Sequence, residues 1–159
     1  MSLKTKRIFS LISIVLVLLM GRYVVSLFRQ VNENITLYRW NIPLDSKYEL
    51  VHNESTAIGW PGDGTVLTIY ALDYTGYLNF KHSIQNHEHI KLVSLNEFKK
   101  DIQFHIEFFN NNANETFKLP EELSDSDKIK WWYLSHNQNR LFCLYDIDAQ
   151  QLIVIEGIY

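Results

Sequence analysis

Cysteine is nearly absent from this chain of 159 residues: Cys143 stands alone. No disulfide can form within the chain, and stability has to come from its apolar core. Proline occurs three times and glycine six, so few positions are forced to turn, and no low-complexity linker or internal repeat is present. A C-x-x-C pair, a Gly-x-Ser-x-Gly elbow, a P-loop and a dinucleotide fingerprint are all missing. The corresponding zinc, hydrolase and nucleotide chemistries therefore lack their local signatures.

Positive charge is scarce past the first 29 residues. Lys4, Lys6, Arg7, Arg22 and Arg29 leave ten basic against 18 acidic residues in 30–159, a net charge of −8. Phosphate backbones and anionic lipid surfaces need the opposite sign, so nucleic acid is not expected as a partner.

What the first 29 residues do have is apolar length. Ile8 to Met20 carries no charge, and with Gly21 and Arg22 tolerated the apolar stretch extends to Phe28, 21 residues in all. A bilayer core takes roughly 20 residues of helix, and Arg22 is close enough to the end to snorkel. Residues 1–29 are thus expected to be an N-terminal membrane anchor through 8–28, residues 30–46 a linker, and 47–159 an extracytoplasmic domain. The basic flank before Ile8 favours a cytoplasmic N-terminus and a single-pass protein of the cell membrane. A cleaved signal peptide remains an alternative, although Val24-Val25-Ser26 is a poor cleavage site.

Aromatic residues, 14% of the chain, provide for a dense core in the domain. Lys47–His52, Thr65–Leu72 and Tyr77–His82 read as strands. Ser94 with Glu97 three residues on makes a capping box, and Leu95, Phe98, Ile102, Ile106 and Phe109 form one apolar stripe. Ile129–Leu134, Arg140–Tyr145 and Leu152–Ile158 complete the strands, the last two joined by a hairpin. The expected fold class is α+β: an N-terminal transmembrane helix, then a small domain with a mostly antiparallel sheet and one packed helix.

Two stretches resemble a known pattern. Gly59-Trp60-Pro61-Gly62-Asp63-Gly64 before a strand is similar to a Gly-aromatic-x-Gly-Asp-Gly loop, with Pro61 where histidine is usual. Leu144-Tyr145-Asp146-Ile147-Asp148, with Leu152 and Glu156 after it, is similar to a Tyr-Asp-x-Asp C-terminal hairpin. Together they resemble a family of small uncharacterised bacterial proteins, mainly Gram-positive. The resemblance implies a bacterial origin and a single domain, and it carries no catalytic residue.

Several groups are candidate sites. The loop residues Gly59, Trp60, Gly62, Asp63 and Gly64 can present backbone N–H groups to a ligand, against a plain tight turn capped by Asp63. His82, His87 and His89 are close in sequence, but a metal needs three or four convergent ligands, and no cofactor or metal is expected. Asp146 and Asp148 read as turn residues. Trp131, Trp132 and Tyr133 cannot all face one core from a strand, so one face is at least partly exposed and would suit a protein or carbohydrate contact, against the plainer reading of burial under the neighbouring loop. No complete catalytic constellation is present. The expected function is a tethered binding or accessory module that meets an envelope protein or the cell wall. The alternative is a small cell-envelope hydrolase with a site near Asp63, Asp146 and the histidines.

Overall fold

Alternation of apolar residues along three consecutive strands fixes the centre of this fold. In the computed structural model, which describes residues 20–21, 35–44, 48–56, 63–125 and 127–159, Leu141, Cys143 and Tyr145 point to one face of a sheet, with Phe142 and Leu144 on the other. Leu152 and Val154 against Ile153 and Ile155 repeat the pattern. A strand buried on both faces reads as a continuous apolar run, and such a strand needs cover on both sides.

The strands are β1 (Tyr48–Ser55), β2 (Gly64–Leu72), β3 (Ile129–His136), β4 (Asn139–Asp146) and β5 (Gln151–Ile158). They form one antiparallel sheet in the order β1-β2-β5-β4-β3. Asn137 turns β3 into β4 with φ 53°, a left-handed conformation that asparagine tolerates. A register shift between Leu50 and His52 divides β1: Leu50 sits opposite Tyr70 and His52 opposite Ile69, on opposite faces of β2.

Helices cover both faces. On one, α1 (Ile35–Arg39) and α2 (Tyr74–Gln85) bring Leu37, Tyr77, Phe80 and Ile84 onto Leu134, Leu141 and Val154. On the other, α3 (Leu95–Asn112) lays Phe98, Ile102, Ile106 and Phe109 on Leu67, Phe142, Leu144 and Ile155. Ser94 accepts from the Glu97 amide at 3.2 Å and starts α3 at the capping box.

The expected fold class is corrected on two points. No helix among the described residues is long and apolar enough to cross a membrane. The longest, α3, has 18 residues, and it carries Lys99, Lys100, Asp101 and Glu107 beside its apolar stripe. The expected span, 8–28, lies outside the described residues apart from Met20 and Gly21, which are helical. Secondly, two long helices pack on the sheet, not one. The expected turn at Asp73–Gly76 and strand at Tyr77–His82 are the helix α2. Asp73 is its N-cap, accepting from the Gly76 amide at 2.7 Å. Tyr77, Phe80 and Ile84 repeat at helical spacing, and this tertiary contact outweighs the β preference of the aromatics. The segment 36–44 also contributes to the core: Leu37, Trp40, Ile42 and Leu44 are buried.

Candidate functional site

The end of the sheet where β2 begins and β5 finishes carries most of the polar side chains with chemical potential. Glu156 follows Leu152 and Val154 on the α2 face, whereas Gly157 follows Ile153 and Ile155 on the α3 face. Cavities open on both sides.

On the α3 face the centre is His105. It is 4% exposed, and it lies so close to β5 that a Cβ on Gly157 would be 2.0 Å from its Cε1. Glycine inside a strand here makes room for the imidazole. Nδ1 lies 3.5 Å from the Thr65 hydroxyl, and Nε2 lies 3.5 Å from the Tyr159 hydroxyl. Burial first, and then the Arg140 guanidinium, push the imidazole down to about 4, with Asp101 opposing. The ring is therefore neutral at pH 7. A cavity of about 350 Å³ opens above it, lined by Asp101, Phe104, His105, Gln138, Arg140 and Tyr159. A smaller one of about 150 Å³ shares Phe104, His105 and Tyr159, and adds Asp63, Gly64 and Phe108 among others. Phe104 is 57% exposed and Tyr159 51%. Asp101 accepts from the Tyr133 hydroxyl at 3.3 Å. Arg140 turns Nη1 onto the carbonyls of Asn137, Gln138 and Asn139. Among the described residues, Asp101 and Arg140 face the same cavity without forming an ion pair.

On the α2 face, Glu156 is buried. The Trp40 indole N–H donates to Oε1 at 2.8 Å, and Arg39 Nη2 stands 2.8 Å from Oε2. That second approach has an ion pair's distance without a hydrogen bond's angle, and Oε2 accepts no hydrogen bond. Burial raises the Glu156 carboxyl despite Arg39 and Trp40. His87, His89, His136 and Asn139 line a cavity of about 310 Å³ over it. His87 Nε2 is 2.6 Å from the Trp40 carbonyl, and Nδ1 is 3.2 Å from the His89 amide. A carbonyl only accepts and an amide N–H only donates, so Nε2 carries the proton and Nδ1 is bare. Both nitrogens of His87 are thus committed to holding the chain. His89 stacks on His136 with ring centroids 4.0 Å apart. This side fastens the Arg39–Trp40 segment to the sheet.

The remaining candidates divide as follows. Of the glycine-rich loop, Gly59, Trp60 and Gly62 lie outside the described residues. Asp63 and Gly64 line the smaller His105 cavity. Asp146 accepts from the Ala149 amide at 2.8 Å in the β4–β5 turn, and Asp148 is exposed there. Asp63 adjoins Gly64, which pairs with Ile158, and Asp146 pairs with Gln151 at the other end of β5. Seven residues of strand, roughly 23 Å, separate the two ends, so Asp63 and Asp146 cannot act on one substrate bond. His82 is exposed on α2 and lines none of these cavities.

Trp131 and Tyr133 share the α3 face and Trp132 takes the other. Trp131 is half-buried on Phe98, with centroids 4.4 Å apart, and Tyr133 stacks on Phe142. Trp132 packs edge-on against Phe80. Helices on both faces cover this run, and the exposed aromatics among the described residues are elsewhere, at Tyr38, Tyr74, Phe104, Phe108 and Tyr159. Cys143 is fully buried, and burial and Glu156 push its thiol far up, so it is inert. Among the described residues one group brings three metal-type donors within 4.8 Å of each other: His52, Glu54 and Glu115. Opposite nitrogens of His52 face the two carboxylates, Nε2 toward Glu54 and Nδ1 toward Glu115, each at 3.8 Å. Three donors are one short of a closed tetrahedral shell, and Glu115 is exposed.

Sequence reasoning missed Asp101, Phe104, Phe108, Arg140 and Tyr159. The signal was present in two places: Phe104 and Phe108 are large apolar residues off the stripe of α3, and Gly157 interrupts a strand of β-branched residues. No family model, curated protein or solved structure matches the chain.

Proposed function

We propose that the domain is a binding module whose ligand seats in the paired cavities around His105. The observation that carries this reading is the combination of exposed aromatic rings with an acid and a base left unpaired across one recess. Ligand sites are typically concave, largely apolar and furnished with a few convergent polar groups, in volumes from roughly 300 Å³ upward. The larger recess, about 350 Å³, is of that size. Binding is favoured over catalysis by the state of the groups on the floor. Thr65 is 1% exposed, so its hydroxyl cannot reach a ligand. The His105 nitrogens point at Thr65 and Tyr159. On the same reading the domain works outside the cytoplasm, as the basic residues ahead of Ile8 favour.

Amide-shift mapping of the full chain against a library of small charged, polar and aromatic fragments tests the proposal. The expected hits move the amides of Gly64, His105, Gly157 and Tyr159 together. A library that moves none of these, or hits confined to the Glu156 side, would overturn it.

A further inference from the structure

The geometry points to a small zwitterion as the ligand of the His105 recess, namely an α-amino acid with an aromatic side chain. This inference rests on the binding reading above and names the class of ligand.

Three features of the recess select it. The first is charge. Asp101 and Arg140 line the same cavity and are not paired with each other. The second carboxylate oxygen of Asp101 suits an ammonium group, because among the described residues its hydrogen-bond partner, the Tyr133 hydroxyl, takes Oδ2. Arg140 commits Nη1 to the carbonyls of its own turn, which fixes the guanidinium plane and leaves its other N–H groups without partners among the described residues. A planar guanidinium held this way is preorganised for a carboxylate. A ligand with one charge would satisfy one of these groups and leave the other uncompensated, and a neutral polyol would satisfy neither fully.

The second feature is neutrality at the floor. His105 lines the same recess as the two charges without one of its own. It neither competes for the ligand's carboxylate nor repels its ammonium. The third is shape. The smaller cavity shares Phe104, His105 and Tyr159 with the charged recess and adds Phe108, Ile158, Gly64 and Asp63 to its lining. An aromatic ring suits a lining that offers Phe104, Phe108 and Tyr159, whose rings favour edge or offset contacts.

The test titrates the full chain with L-phenylalanine, its N-acetyl derivative, its carboxamide and a methyl glucoside, followed by amide shifts. L-phenylalanine is expected to move Gly64, His105 and Gly157. The N-acetyl and carboxamide forms, each lacking one charge, should bind more weakly by about tenfold or more. Asp101→Asn should erase the preference for L-phenylalanine over its N-acetyl form while leaving amides remote from the recess in place. Blocked forms that bind as tightly as the free amino acid, or a glucoside that moves these amides while L-phenylalanine does not, would overturn the zwitterion and leave the binding reading standing. If L-phenylalanine moves only residues on the Glu156 side, this site is wrong. If none of the four moves any amide, the inference falls, and the wider library then decides the binding reading on its own.

Discussion

Replacing His105 with asparagine should flatten the acid limb of this domain's stability. The imidazole titrates at about 4 in the folded protein, against 6.5 when unfolded. A base whose folded value is depressed stabilises the fold above its unfolded value, because there both states hold it neutral. As pH falls from 6.5 to 4 the unfolded chain takes up a proton that the folded chain refuses, and stability is lost. Below 4 the loss is complete. Realised in full, the difference corresponds to roughly 3 kcal/mol; the solvent-filled recess beside the ring screens part of it, which leaves about 2 kcal/mol. Glu156 works the other way. Its carboxyl is raised by burial, so its contribution is complete below the unfolded value of 4.5 and disappears as pH rises through the folded one. The two overlap, and the wild-type curve alone cannot separate them. The difference between wild type and His105→Asn can, since Glu156 is common to both. Urea unfolding at intervals from pH 7 to pH 4 is the assay. Wild type should lose about 2 kcal/mol more than the variant over that range. Parallel curves would refute the burial of a neutral imidazole at this position.

Two further outcomes follow from packing. Gly157→Ala places a methyl group where the His105 ring lies, and should cost about 1–3 kcal/mol in urea unfolding, with His105→Ala in the same chain relieving much of it. Trp132→Ala removes a ring buried against Phe80 and should cost roughly 3–5 kcal/mol; a variant as stable as wild type would show that Trp132 lies at the surface after all.

The contrast between α2 and α3 shows what local sequence could and could not reveal. Helix α3 carries its own start signal and an unbroken stripe from Leu95 to Phe109, so its identity was readable without tertiary information. The α2 segment begins with Tyr74-Thr75-Gly76-Tyr77, residues that suit a turn or strand, and becomes helical through the Asp73 cap and the sheet that receives Tyr77, Phe80 and Ile84. The burial of the tryptophan pair was only half legible for a related reason. Alternation on β3 had to put one ring on each face, but only the presence of a second helix made both faces interior. The recess was the least legible feature, because Asp63, Arg140 and Tyr159 come from separate elements and meet Asp101 and His105 of α3 only through the tertiary fold. Gly157 and the off-stripe Phe104 marked the place, but a glycine and a phenylalanine name no chemistry by themselves.

The central claim is that ligand capture occurs on the α3 face and not on the Glu156 side. It is tested most directly by comparing two exposed-residue variants of the full chain, Phe104→Ser at the His105 recess and His136→Ser at the cavity over Glu156. For a ligand that the wild-type chain binds, the Phe104 variant should lose about tenfold or more in affinity while the His136 variant keeps it. Loss confined to the His136 variant would contradict the account.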